Sequence, residues 1–415
     1  MTEVADEAPR AQAHELIDRA VEDRVLVFGS LPPAGRDLDL LARPEEEAAI
    51  ASSLSRHGFA RRSRQWARFE GCTAYGVEVV PAADWSLPAE ELEALFAEAQ
   101  PLAGSTRLVR PAPHHALLVL ARRLGWAGGR FDAKLAARVS EVVAETPEAW
   151  ERAAERAPAW RAERSLRLLA ARHRGEAAPF AAVPLRLRRL RPRRRRRVVV
   201  ALSGLDGAGK SSHAAWLRDT LVRLGVPAER AWTPLGTSVV LELVGRPAKR
   251  LLSLLRFGPV RDVAERSAGG GVMSRPDLPG DRSVLTVVWS TFVLLLNLLA
   301  QWRAVVRCRR ARVVIFDRHV LDSYVRLRFL YGSRGGALQR RLLRALAPQA
   351  RFVFLLQIRP ETAHERKQDW TPRHLERQAE LYRAEAAAFG ARTIDAERPK
   401  DEVCREIAVE VWQGR

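Results

Sequence analysis

The sequence predicts two domains in tandem. The first, over residues 1–130, is of α+β class. The second, over 197–415, is an α/β domain with a parallel sheet flanked by helices. A helical, arginine-rich connector spans 131–196. Three observations predict this. At 415 residues the chain is too long for one core. In the second half, uninterrupted apolar runs at 198–202, 313–316 and 352–356 alternate with helical periodicity, as strands buried on both faces do. In the first 130 residues the strand-like run at 37–41 instead alternates polar and apolar residues.

From the start of the chain, residues 11–23 read as a helix with Leu16, Ile17 and Ala20 on one face. Val25-Leu26-Val27-Phe28 follows as a short strand, then Gly29-Ser30. In Asp37-Leu38-Asp39-Leu40-Leu41 the two aspartates share one face of a strand and the leucines the other. Two carboxylates side by side repel unless a cation lies between them, and Mg2+ is the expected ion. A helix carrying Ile50 and Leu54 ends near Gly58. A hairpin-like pair follows at 65–70 and 75–80. On its second strand Tyr75, Val77 and Val79 share a face and Glu78 points the other way, which makes Glu78 a candidate third carboxylate.

From 111 to about 190 the pattern is helical, with Leu117, Leu118, Leu120 and Leu124 as one apolar set. Trp126, Trp150 and Trp160 read as helix-packing anchors. Residues 186–197 hold nine arginines and Pro192, the composition of a solvated linker.

Gly204-Leu205-Asp206-Gly207-Ala208-Gly209-Lys210-Ser211-Ser212 fits G-x-x-x-x-G-K-[ST], the P-loop pattern. A strand precedes it, and Ala214, Leu217, Leu221 and Leu224 continue it as a helix that Gly225 and Pro227 stop. Gly204, Gly207 and Gly209 let backbone N–H groups converge on phosphate oxygens, and the helix N-terminus adds positive potential there. Gly204, Gly207, Ala208, Gly209, Lys210, Ser211 and Ser212 are the expected nucleotide-binding set. Lys210 would reach the β- and γ-phosphates of ATP, and the Ser211 hydroxyl would hold Mg2+. The chain has five lysines against sixty-four arginines. Lysine at 210, where a flexible point charge suits phosphates, departs from that bias.

Beyond the loop, 228–232 forms a second strand ending at Thr233-Pro234-Leu235-Gly236-Thr237. Residues 284–300 are almost wholly apolar. At that length, and with Ser290, Thr291 and Asn297 inside, they read as a buried helix rather than a membrane span. The 312–317 run ends in Asp317, a carboxylate at the C-terminal end of a buried strand, beside the loop and near Mg2+. Arg318 follows and presents a fork of donors to a phosphate. Arg366, Lys367, Arg373 and Arg377 lie in a charged helical segment. Residues 392–396 read as a last strand, and Val403, Ile407 and Val411 mark a closing amphipathic helix.

The net charge of +20 fits an anionic partner. Nucleic acid is the generic candidate, though no zinc-finger spacing, helix-turn-helix signature or aromatic RNA-binding motif is present. Cys72, Cys308 and Cys404 are too scattered for a disulfide framework or a metal cluster, which suits a reducing compartment. Glu3, Asp6 and Glu7 stand where a secretion signal has a basic start. A cytoplasmic protein without a transmembrane span is expected.

The N-terminal arrangement of strand, Gly29-Ser30 turn, Asp37-x-Asp39 strand and later acidic strand residue resembles the nucleotidyltransferase superfamily. The resemblance covers about 14–125. It implies a two-metal site, with Asp37, Asp39 and Glu78 as ligands, that transfers a nucleoside monophosphate group. The spacing from Gly29 to Asp37 is shorter than in typical members.

The loop at 204–212, Phe316-Asp317-Arg318-His319, and the basic segment before Glu376 and Tyr382 resemble thymidylate kinase, over about 197–413. The resemblance implies phosphoryl transfer from ATP to a nucleoside monophosphate, dTMP in that family, and a homodimer. By it, Arg318 binds the acceptor phosphate, Asp317 orients Mg2+ or the acceptor, and Asp206 approaches the acceptor sugar. Arg366, with Arg373, belongs to a lid closing over ATP. Two departures affect the acceptor half. Thr233-Pro234-Leu235-Gly236-Thr237 lacks the glutamate of the family's Glu-Pro-Gly-Gly-Thr. The helix that normally presents an arginine to the base is the apolar 284–300 segment, with Asn297 near that place. A phosphorylated acceptor other than a nucleotide is therefore the alternative expectation, as is nucleotidyl transfer by the N-terminal domain with the second domain as its ATP-binding partner.

Overall fold

The structure, a computed structural model, describes residues 13–29, 31, 37–70, 73–176, 197–233, 284–332 and 336–414. Ser30, Cys72, residues 234–237 and the arginines of 186–196 lie outside the described residues. The chain divides into two compact units, 1–69 with 73–194, and 195–415 with 70–72.

In the first unit, helix α1 (Ala13–Ala20) leads into β1 (Val25–Val27) and β2 (Asp37–Ala42). Helix α2 (Glu47–Arg56) and strands β3 (Ala60–Arg62), β4 (Gln65–Glu70) and β5 (Thr73–Pro81) follow. After α3 (Ala89–Ala97) come β6 (Gln100–Pro101) and β7 (Leu108–Arg110). The seven strands form one mixed sheet in the order β3-β4-β5-β2-β1-β7-β6. β2 runs antiparallel to β1 and parallel to β5, in a register that sets Asp39 opposite Glu78.

One face of this sheet buries Leu38, Leu40, Val77 and Val79 with Ile17 of α1 and Leu54 of α2. The other face buries Leu26, Leu41 and Val109 against four helices: α4 (Pro113–Trp126), α5 (Ala133–Glu145), α6 (Ala149–Arg156) and α7 (Glu163–His173). Helices α5 to α7, which the sequence suggested as part of a connector over 131–196, thus share the core of the first unit. The physical reason is that each carries an apolar stripe, Leu135 and Val139 on α5 and Leu166 and Leu169 on α7, that is stable only when covered. Trp160 is fully buried there. Trp126 is not a packing anchor: it is 71% exposed.

The second unit begins with β8 (Val198–Gly204) and α8 (Lys210–Arg223), then β9 (Ala228–Trp232). Helix α9 (Val284–Arg307) leads to β10 (Val313–Asp317), α10 (Val320–Tyr331) and α11 (Gly336–Leu346). β11 (Phe352–Gln357), α12 (Pro360–Arg366), α13 (Pro372–Ala386), β12 (Arg392–Asp395) and α14 (Lys400–Gln413) complete it. The strands form an all-parallel sheet in the order β12-β11-β8-β10-β9. β8 and β10 are neighbours, with Asp317 level with Leu202, so Gly204 and Asp317 lie at the same, C-terminal edge. Ligands of open parallel sheets bind at that edge.

Helix α9 is buried only on one side. Val293, Leu294 and Leu298 pack on Val320, Tyr324 and Leu327 of α10, while Val288, Leu295, Leu299, Trp302 and Val306 are exposed. The expectation of a buried helix holds for one stripe of this 24-residue helix, the one that packs on α10. Among the described residues, no helix is long and apolar enough to cross a membrane.

Candidate functional site

In the second unit, the glycine-rich loop curls between β8 and α8. Gly204 has φ +145°, and a side-chain carbon there would come 2.4 Å from the Leu356 carbonyl oxygen. At Gly207, φ is +95° and the nearest atom would be the Ala363 carbonyl oxygen at 2.7 Å. These positions require glycine, both for backbone sign and for close approach.

The charged groups collect at this loop. Lys210 is buried, and its Nζ donates to the carbonyls of Gly204 and Leu205, each at 2.8 Å. Burial holds the Lys210 ammonium below its ordinary pKa, with Asp206 and Asp322 opposing that. Asp206 accepts from Arg318 Nη2 at 2.6 Å and lies 3.6 Å from Lys210 Nζ. Burial alone would raise the Asp206 carboxyl. Lys210 and Arg318 reverse that and hold it below its usual range. Lys367, the residue that directly follows α12, adds its charge at Asp206.

Ser211 Oγ donates to Asp317 Oδ2 at 2.5 Å. The other oxygen, Asp317 Oδ1, is buried without a hydrogen-bond partner. A buried carboxylate oxygen beside a hydroxyl, with nothing to accept from, is the donor pattern that suits a hard cation such as Mg2+.

Arg318 has φ +79°, uncommon for a residue with a Cβ. The turn is held by Arg318 N donating to Leu202 O at 3.2 Å and Thr233 Oγ1 donating to Arg318 O at 3.3 Å. It swings the guanidinium back over the loop toward Asp206. A narrow cavity of about 20 Å3 lies beside it, lined among others by Arg326, Phe329, Trp370 and Tyr382.

Of the expected site residues, the structure gathers Asp206, Lys210, Ser211, Asp317 and Arg318 at the loop. Ala208 is buried beneath it, and Ser212 is exposed on the first turn of α8. Arg366 is exposed at the end of α12, where its charge is felt at His213 on α8. Arg373 is exposed at the start of α13.

Asp322, which the sequence places at the start of a helix, was not among the expected site residues. It is fully buried in the first turn of α10. It accepts from Ser203 Oγ at 2.6 Å, His319 N at 2.9 Å, Tyr382 OH at 2.9 Å and Gly204 N at 3.3 Å. Burial and this carboxylate push the Tyr382 hydroxyl well above its ordinary pKa. Asp322 therefore ties the strand end, the loop and α13 together. Its signal was an acid three residues into a helix just after Asp317-Arg318-His319, where it serves as half of a capping box with His319.

In the first unit, Asp37, Asp39 and Glu78 come together, with one carboxylate oxygen of each within 4.8 Å of the others. Burial, with Asp37 and Glu78 alongside, pushes the Asp39 carboxyl up to about 6, against the pull of Arg138 and Lys134. Burial and Asp37 also raise Glu78, against Arg64. A cavity of about 280 Å3 opens beside Asp37 and Asp39, walled by Phe28, Gly29, Trp85, Trp126, Lys134 and Arg138, among others. Lys134 and Arg138 sit one turn apart on α5, and Arg138 Nη2 donates to Phe28 O at 3.0 Å. The sequence reading missed both. The one available signal was that Lys134 is among only five lysines.

No protein-family model matches the chain, and a search of curated proteins finds no match.

Proposed function

We propose that the second unit is a P-loop kinase that transfers the γ-phosphoryl group of ATP to a nucleoside monophosphate, dTMP by its resemblance to thymidylate kinase. The observation that carries this is the Ser211–Asp317 pair with its unpartnered Asp317 Oδ1, set at the C-terminal edge of a parallel sheet beside buried Lys210. Ser211 and Asp317 would hold Mg2+, which when bound supplies charge neutralisation on the phosphoryl oxygens. Lys210 binds the β- and γ-phosphates, exchanging its two carbonyl acceptors for phosphate oxygens. Arg318 leaves or shares Asp206 to hold the acceptor phosphate, and Asp206 orients the acceptor. Arg366, whose charge is felt at His213 on α8, would close on the ATP side. Catalysis is positioning plus electrostatics rather than covalent chemistry.

The test is ADP release from Mg-ATP against a panel of nucleoside monophosphates, with Lys210→Ala as control. Acceptor-dependent ADP that is highest with dTMP and lost in the variant supports the reading. ADP formation unchanged in a folded Lys210→Ala protein rejects it. Turnover with a non-nucleotide phosphorylated acceptor alone would keep the kinase and replace its substrate.

A second reading is nucleotidyl transfer by the first unit. It is favoured by three carboxylates within 4.8 Å of one another, two of which, Asp37 and Asp39, line a cavity with Lys134 and Arg138 on its wall. The carboxylates would hold Mg2+, and the basic pair would bind a triphosphate. Pyrophosphate release that disappears in Asp37→Asn/Asp39→Asn supports it, and its absence with every nucleotide and acceptor tried rejects it.

A further inference from the structure

A second cluster of metal-ligating side chains lies in the first unit, apart from the acidic trio. Glu98 follows α3, and His114 and His115 stand in the first turn of α4. One ligand atom of each lies within 4.8 Å of the others. We propose that Glu98, His114 and His115 form a binding site for Zn2+, or an ion of the same borderline-soft class, that ties α4 to the end of α3. The inference does not depend on either activity proposed above.

The independent observation is His115. It is 0% exposed, and neither ring nitrogen has a hydrogen-bond partner. Leaving such a group unsatisfied is destabilising, so an orphaned buried imidazole calls for a ligand. Its ring is stacked at 5.7 Å on Trp160 and lies 4.1 Å from the ring of His114, which fixes the direction it faces.

Glu98 is arranged as a ligand with its own support. Oε2 faces His114 Nε2 at 3.1 Å, while Oε1 accepts from Arg156 at 2.8 Å. Metal-binding carboxylates are commonly held in this way by an outer partner. The charges facing the cluster are Glu91, Glu98, Arg152 and Arg156. Arg156 is also paired with Glu91, so its charge is shared between two carboxylates. Glu98 is partly exposed while both histidines are buried, which leaves an entry path from solvent on the carboxylate side. Two imidazoles and one carboxylate, with a fourth position for water, are a zinc-type set. The all-oxygen trio of Asp37, Asp39 and Glu78 suits Mg2+ instead.

The test uses the full chain carrying Asp37→Asn/Asp39→Asn, which removes the oxygen site, stripped of metal by chelator. Co2+ at one equivalent is expected to give the visible absorption of four-coordinate cobalt, and Zn2+ to bleach it. Glu98→Gln is expected to weaken Co2+ binding by at least about tenfold. His115→Phe, which refills the space against Trp160 without a ligand atom, is expected to abolish it. No cobalt absorption in the folded parent, or an unchanged spectrum in His115→Phe, overturns the proposal.

Discussion

Gly29 lies directly against Asp39: a side-chain carbon on the glycine would come 1.9 Å from Asp39 Oδ2. The strand end at 25–28 and the acidic strand approach this closely only because residue 29 has no side chain. Gly29→Ala should therefore displace the Asp39 carboxylate or push the strands apart. The expected cost is about 1–3 kcal/mol of stability, with weakened divalent-cation binding in the first unit. Thermal melting and a Mn2+ titration of the same variant would check both effects.

Asp39 also sets a pH dependence. Its folded pKa of about 6 stands above the ordinary 3.8. A carboxyl raised on folding binds its proton more tightly in the native state. Its contribution is present below about pH 4 and is lost as pH rises through 6. The metal-free protein should therefore lose about 1–3 kcal/mol from this group between those limits. Asp39→Asn should flatten that part of the curve, and Mg2+ should restore stability at pH 7 while releasing a proton below pH 6. Denaturant melts across pH, with and without Mg2+, read the effect.

Lys210 is both a structural donor and the proposed phosphate ligand. Lys210→Ala leaves the Gly204 and Leu205 carbonyls short of a donor, at about 1–3 kcal/mol. Turnover should fall by at least about 100-fold. The fold should survive, because the strand and helix around the loop are buried on apolar contacts. Circular dichroism and ADP release measured on one preparation would separate the two effects.

Arg318 tests strain against chemistry. At φ +79° a Cβ costs about 1–2 kcal/mol that glycine does not incur. Arg318→Gly should be more stable than Arg318→Ala by about 1 kcal/mol, while both lose acceptor-dependent turnover. Equal stability of the two variants would show that the turn relaxes when the Asp206 pair is removed.

Asp322 should behave as a positioning residue. Asp322→Asn keeps the shape but turns one acceptor oxygen into a donor facing Tyr382 OH or Ser203 Oγ. A loss of about 1–3 kcal/mol is expected. Tyr382→Phe should cost less, and the double variant should be less than additive because the two share one hydrogen bond. A double-mutant cycle in urea measures this.

Much of the second unit was legible because its strands are parallel and buried on both faces. That burial demands unbroken apolar runs, and 198–202, 313–316 and 352–356 are unbroken. The loop glycines were legible for a similar reason, since few residues tolerate the backbone at 204 and 207. The apolar 284–300 stretch misled in part. Composition records that a helix is apolar but not which of its faces a neighbour covers, and α9 leaves Leu295, Leu299 and Trp302 exposed.

By itself the sequence determined the local elements and the chemistry they carry: the glycine-rich turn with Lys210, the acid ending the 313–317 strand, and the two aspartates on one face of the 37–42 strand. Periodicity and backbone sterics act over a few residues, so they are written locally. Only the tertiary structure decided which distant groups meet. The parallel β2–β5 register brings Glu78 to Asp39, the packing of α5 brings Lys134 and Arg138 to the same cavity, and α10 turns Asp322 into the acceptor for strand, loop and helix. The meeting of groups 39 to 119 residues apart depends on how whole faces are buried, and no short stretch of sequence encodes it.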